Sequence, residues 1–146
     1  MLLKNESASL KLEFVNYEFP EAGSGADEYD RNWLLLRCTW VDEDGYTHKA
    51  SNACLLTQEL AGMNAGLKVL LAGIRDRYES DFIEPDFTLT AWAEGDSFRV
   101  SATFYLPNTM DGDDTAELDC TLSGSELKTV IEDLDKACAR LPERKA

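Results

Sequence analysis

The chain has 146 residues, with 14 Lys and Arg against 28 Asp and Glu and a single histidine, a formal net charge of −14. This length predicts one domain over 1–146, able to bury roughly two-thirds of its unfolded surface. The charge argues against nucleic acid or anionic membrane as partners and favours basic ones.

Hydrophobic residues make up 44 % of the chain, enough for a core, so disorder is expected only at the loop 22–29 and the tail 142–146. No run approaches the ~18–20 apolar residues of a membrane helix. The start Met1-Leu2-Leu3-Lys4-Asn5-Glu6 lacks the basic-then-apolar order of a secretory signal. The expected location is therefore the cytoplasm, where Cys38, Cys54, Cys120 and Cys138 are expected to be reduced thiols buried in strands and a helix.

Leu10, Leu12 and Phe14 alternate with Lys11 and Glu13, which predicts a strand over Ser9–Tyr17. Pro20 and the run Glu21-Ala22-Gly23-Ser24-Gly25-Ala26-Asp27 then break the chain into an exposed loop. Trp33-Leu34-Leu35-Leu36-Arg37-Cys38-Thr39-Trp40-Val41 is apolar at nearly every position and predicts a central strand covered on both faces. Asp42-Glu43-Asp44-Gly45 reads as a turn, with Gly where positive φ is needed, into a paired strand over 46–53.

Thr57 is placed to cap a long helix, in which Leu60, Met63, Leu67, Leu70, Leu71 and Ile74 gather into one apolar stripe. Gly62, Gly66 and Gly73 fall within about 40° of one another beside that stripe. Each costs about 1 kcal/mol against alanine in a helix. Either a neighbouring element approaches closely there, or the helix is weak.

The second half reads as an antiparallel meander with strands over 82–83, 87–93, 97–106 and 115–122. Glu94-Gly95-Asp96 is a tight turn and 107–114 a loop. Ser123 and Glu126 form a capping box for a closing helix with Leu127, Val130, Ile131, Leu134, Cys138 and Leu141 on its apolar face, ended by Pro142. The expected fold is α+β: a mostly antiparallel β-sheet of six to eight strands with two helices, the second at the C-terminus. If buried, Trp33→Ala and Leu134→Ala should cost about 3–5 and 2–5 kcal/mol.

Catalytic vocabulary is sparse. Asp111-Gly112-Asp113-Asp114 lacks the order of a calcium loop, and His48 is not paired with cysteines at zinc-ligand spacing. Ser123 and Ser125 have a complete explanation as a helix start, and no phosphate loop, G-x-G-x-x-G or H-E-x-x-H occurs. No catalytic residue, metal or cofactor is expected, and the chain does not read as an enzyme. The oligomeric state is left open.

Charge distribution says more. Residues 18–44 hold Glu18, Glu21, Asp27, Glu28, Asp30, Asp42, Glu43 and Asp44 against Arg31 and Arg37. Residues 111–119 hold Asp111, Asp113, Asp114, Glu117 and Asp119 with no base. If these loops lie together they form one negative face, with Trp40 as an aromatic anchor beside it. Asp27, Glu28, Asp30, Trp40, Asp42, Glu43, Asp44, Asp111, Asp113 and Asp114 are the candidate partner-binding residues. Otherwise each is a solvated loop serving solubility.

The order of landmarks is also familiar. Tyr17-Glu18-Phe19-Pro20, an acidic loop and Asp30-Arg31-Asn32-Trp33-Leu34-Leu35-Leu36-Arg37 come first. Cys54-Leu55-Leu56-Thr57-Gln58-Glu59-Leu60 opens the helix, and Phe82-Ile83-Glu84-Pro85-Asp86-Phe87 follows it. Over nearly its whole length the chain resembles the WapI-type immunity proteins, small bacterial cytoplasmic proteins thought to neutralise the toxin domain of a contact-delivered polymorphic toxin. The resemblance implies a non-enzymatic inhibitor of a cognate toxin and carries over no catalytic residue. Many toxin domains are nucleases with basic clefts, for which an acidic face can compete with a phosphate backbone. Against this stand an acidic adaptor or housekeeping protein of unknown partner, and a nucleic-acid mimic that binds several basic proteins.

Overall fold

The computed structural model describes residues 1–21, 27–109 and 112–145. Strands β1 (Leu2–Lys4), β2 (Ser9–Tyr17), β3 (Trp33–Val41) and β4 (Thr47–Leu56) form one antiparallel sheet in chain order. Strands β5 (Arg77–Glu79), β6 (Phe87–Glu94), β7 (Ser97–Thr109) and β8 (Gly112–Ser123) form a second, also in chain order. Helices α1 (Glu28–Asn32), α2 (Thr57–Leu71) and α3 (Gly124–Arg140) complete an α+β fold with the last helix C-terminal. The sequence predicts two helices; the described residues hold three, because the short α1 carries no apolar periodicity to announce it.

Each sheet buries one face. In the first, Leu10, Leu12 and Phe14 of β2 lie beside Leu34, Leu36 and Cys38 of β3. β3 sits inside the sheet as expected, but only one of its faces is covered: Trp33 and Leu35 are half-buried and Arg37 is exposed. An antiparallel meander with core on one side leaves the other to solvent even when the sequence is apolar throughout. The cost of Trp33→Ala therefore falls below that of a buried tryptophan. In the second sheet Phe87, Leu89, Val100, Ala102, Phe104 and Leu118 face inward and join the same cluster as the first.

The helices close the core. Leu60, Met63, Leu67 and Leu70 of α2 are buried, whereas Leu71 is half-buried and Ile74 lies past the helix, 74 % exposed. Thr57 is not the cap but the first helical residue, and Glu59 Oε1 accepts from the Leu56 N–H at 3.0 Å. Of the three glycines, Gly73 lies beyond the helix with φ +75°, and Gly66 faces the Tyr78 ring of β5. The capping box of α3 forms as predicted: Ser123 Oγ accepts the Glu126 N–H at 3.1 Å, and Glu126 Oε1 accepts the Ser123 N–H at 2.9 Å. Its stripe of Leu127, Val130, Ile131 and Leu134 is buried, with Ala137 added and Cys138 only half-buried.

Other boundaries differ. Residues 82–83 are not a strand: Phe82 stacks on Phe87 at 5.7 Å between centroids, and Ile83 is exposed. β7 runs through Pro107 to Thr109, with a register shift between Leu106 and Thr109 where proline is tolerated. The predicted loop over 107–114 is thus mostly hairpin, its residues 110 and 111 lying outside the described residues.

The sheets are tied together by Asn5 Nδ2, which donates to the Asp119 carbonyl, and by Asn52 Nδ2, which donates to Asp86 Oδ2, both at 3.0 Å. The C-terminal segment closes the first sheet. The Arg140 guanidinium donates to the carbonyls of Phe14 and Val15, and that of Arg144 to those of Phe19, Pro20 and Arg31. All four cysteines are free thiols, and Cys38, Cys54 and Cys120 are buried.

Candidate functional site

The acidic candidates divide by position on the sheets. Asp27 precedes α1, and its Oδ1 accepts the Asp30 N–H at 2.7 Å as a helix cap. Glu28 opens α1, and Asp30 is exposed on it. Asp42, Glu43 and Asp44 turn the chain from β3 into β4 at the far end of that sheet. The nine residues of β3, at about 3.4 Å rise each, hold the two groups roughly 27 Å apart. The loops before and after β3 are therefore not one cluster.

The β3–β4 turn uses part of its own charge. Asp42 Oδ1 accepts the N–H groups of Asp44 and Tyr46 at 3.0 Å, and its Oδ2 lies 2.8 Å from His48 Nε2. The hydrogen bond to His48, seconded by those two N–H groups, holds the Asp42 carboxyl below the usual carboxylate range. Asp42 thus organises the turn, while Glu43 and Asp44 are exposed. Trp40 is half-buried and packs against the core, directly across from His48 on β4.

A second acidic feature lies on the β7–β8 hairpin. Tyr105, Asp113, Asp114, Thr115 and Glu117 line a surface groove of about 410 Å³. The Tyr105 hydroxyl donates to Asp113 Oδ2 at 2.5 Å, and that bond pushes the phenol up from its ordinary value. Asp111 lies outside the described residues. The outer face of the second sheet beside it is polar. There Thr103 pairs with Glu117 and Ser101 with Asp119, and Thr88 and Thr90 extend the row onto β6. The sequence reading missed Tyr105. The signal was the period-2 alternation of β7, which puts Tyr105 with Ser101 and Thr103 on the face away from buried Ala102 and Phe104.

This arrangement offers carboxylates and hydroxyls as hydrogen-bond acceptors, which suits lysine and arginine side chains. It offers little to nucleophilic chemistry. Burial pushes the thiols of Cys38 and Cys54 up to about 12 and that of Cys120 up to about 11, so all three stay protonated near neutral pH. Ser123 and Ser125 bond each other at 3.1 Å at the start of α3, and the one histidine is engaged by Asp42. Among the described residues no three of His, Cys, Asp and Glu converge as a metal site requires. Nor, among the described residues, is any helix long and apolar enough to cross a membrane.

Residues 1–142 match the family model described as the Immunity protein WapI-like family. No curated protein matches the chain.

Proposed function

Because the chain belongs to the Immunity protein WapI-like family, we propose that it binds and neutralises a cognate toxin domain in the cytoplasm, as a stoichiometric inhibitor and not a catalyst. The family match carries this reading, and the net charge of −14 supplies its physical form: a basic toxin domain attracted to carboxylate-rich surfaces. The hairpin groove with Asp113, Asp114 and Glu117 is the surface that best fits such a partner, since its acceptors lie together and outward. Glu43 and Asp44 form a separate acidic point at the end of the other sheet.

The test is co-expression of this protein with a candidate toxin domain, taken from any neighbouring gene that encodes one, followed by tagged purification at low and moderate salt. Rescue of growth and recovery of one salt-sensitive basic partner support the reading. No rescue, or many weak partners, removes it. On the purified pair, reversing Asp114 and Glu117 to Lys should slow association about tenfold or more at low salt, with the difference closing at high salt. Glu43→Lys with Asp44→Lys tests the turn without disturbing Asp42; unchanged binding would take that turn out of the interface.

A further inference from the structure

The edges of the two sheets are not equally protected. β1 and β5 are three residues each, too short to template much. β8 carries Asp113, Asp114, Glu117 and Asp119, and its Asp119 carbonyl already accepts from Asn5. Short strands and charge are the usual means of blunting a sheet edge. The first half of β4 has only Lys49 as a charge, no proline, and a regular register from Thr47 to Asn52.

The ladder shows which groups point outward. The Asp42 N–H donates to the Tyr46 carbonyl, so Asp42 and Tyr46 form a hydrogen-bonded pair. Alternation then makes Trp40–His48 and Cys38–Ala50 hydrogen-bonded pairs as well. Thr47, Lys49 and Ser51 therefore turn their N–H and C=O groups away from β3. All three residues are exposed, and among the described residues no second strand pairs with β4. Beside this edge lie exposed Tyr46 and half-buried Trp40 and His48.

We propose that this edge of β4 is an interaction surface that accepts an extended segment of the cognate toxin domain as an added strand, a reading that rests on the immunity function above. Six main-chain groups on Thr47, Lys49 and Ser51 supply the bonding. Side chains set the choice of segment. A residue opposite Lys49 is favoured as a carboxylate, and residues opposite His48 and Ala50 as apolar, because they lie on the Trp40 side of the sheet. A second copy of this chain fits poorly. The antiparallel register that uses all three outward residues sets Lys49 against Lys49, between two molecules of charge −14 each.

The test is amide hydrogen exchange read by NMR on the full chain, alone and with the co-purified toxin domain. The amides of Thr47, Lys49 and Ser51 should exchange freely alone and at least 100-fold more slowly in the complex. Alongside it, Ser51→Pro removes an outward N–H and should weaken toxin binding at least tenfold, where Ser51→Ala changes it less than twofold. A stable, growth-rescuing complex in which those amides keep their free rates overturns the strand-addition proposal and leaves the immunity reading standing. Protection that rises with concentration in the free protein also overturns it, in favour of self-pairing. Absence of any toxin complex removes both readings together.

Discussion

Gly66 sits in the middle of α2, where alanine would ordinarily add about 1 kcal/mol of stability. A Cβ built there would lie 2.3 Å from Cδ1 and 2.7 Å from Cε1 of Tyr78. Carbon contacts settle near 3.5–4.0 Å, so the ring must retreat by about an ångström or more. Tyr78 has little room to do so: it is half-buried and carried by a three-residue strand paired to β6. Overpacking of this kind costs about 1–3 kcal/mol, so Gly66→Ala should cost about 0–2 kcal/mol net once the helix gain is set against it. Gly62→Ala is the internal control, since among the described residues nothing but its own helix backbone and chain neighbours lies within 4 Å of its Cβ position; it should stabilise by about 0.5–1 kcal/mol. In a Tyr78→Ala background Gly66→Ala should become stabilising, giving a coupling of about 1–3 kcal/mol in a double-mutant cycle by urea unfolding. Equal stabilisation by both alanines in both backgrounds would refute the close-approach explanation for this glycine.

Leu134, fully buried on α3, should cost about 2–5 kcal/mol when truncated to alanine, measured by urea unfolding, and half-buried Trp33 should cost less than a core tryptophan. Hydrogen bonds hold three carboxyls below their ordinary values: Asp42 through His48, Glu126 through the Ser123 N–H, and Asp135 through Lys68 and then Asn64. Lowered folded-state values mean stability that is present above the ordinary 3.8 and 4.5 and lost as pH falls through the folded values. Thermal melts should therefore show Tm dropping from pH 5 to pH 3, with a shallower drop in Glu126→Gln. Native protein treated with a thiol reagent at neutral pH should label Cys138 first and leave Cys38, Cys54 and Cys120 unreacted until denaturant is added.

Much of this fold is legible in the sequence, and the failures share a cause. β2 and β3 fall on the predicted Ser9–Tyr17 and Trp33–Val41 because alternation or apolar continuity marks them locally. The α3 start is equally local, written in Ser123 and Glu126. α1, with the sequence Glu-Tyr-Asp-Arg-Asn, has no such mark. It ends in Asn32, which donates to the Arg144 carbonyl and accepts the Arg144 N–H, a partner 112 residues away. β5 likewise has no apolar alternation and is positioned by Tyr78 against Gly66. Pro107 reads as a break because proline cannot serve a regular ladder, and only the register shift beside it explains why β7 continues. The candidate site was visible as charge but not as geometry. Composition located the acids, whereas the hydrogen bonds that divide Asp27 and Asp42, which organise their own local structure, from outward Glu43 and Asp44 exist only in the folded chain.

The way the tail closes the first sheet also orders the assembly of the molecule in time. Each sheet is a meander of neighbouring strands, so its pairings close much shorter loops than the tail does and form earlier. The bonds from Arg140 to Val15, Arg144 to Phe19 and Tyr17 to the Pro142 carbonyl span 125 residues each. For a loop of that length the length-dependent part of closure costs about 4 kcal/mol in an unstructured chain. Those bonds accordingly form after the sheets have brought their ends together. Arg144→Ala should then accelerate unfolding while leaving the folding rate nearly unchanged, a φ-value near zero in stopped-flow measurements. The clasp governs how long the domain stays folded, not how soon it folds.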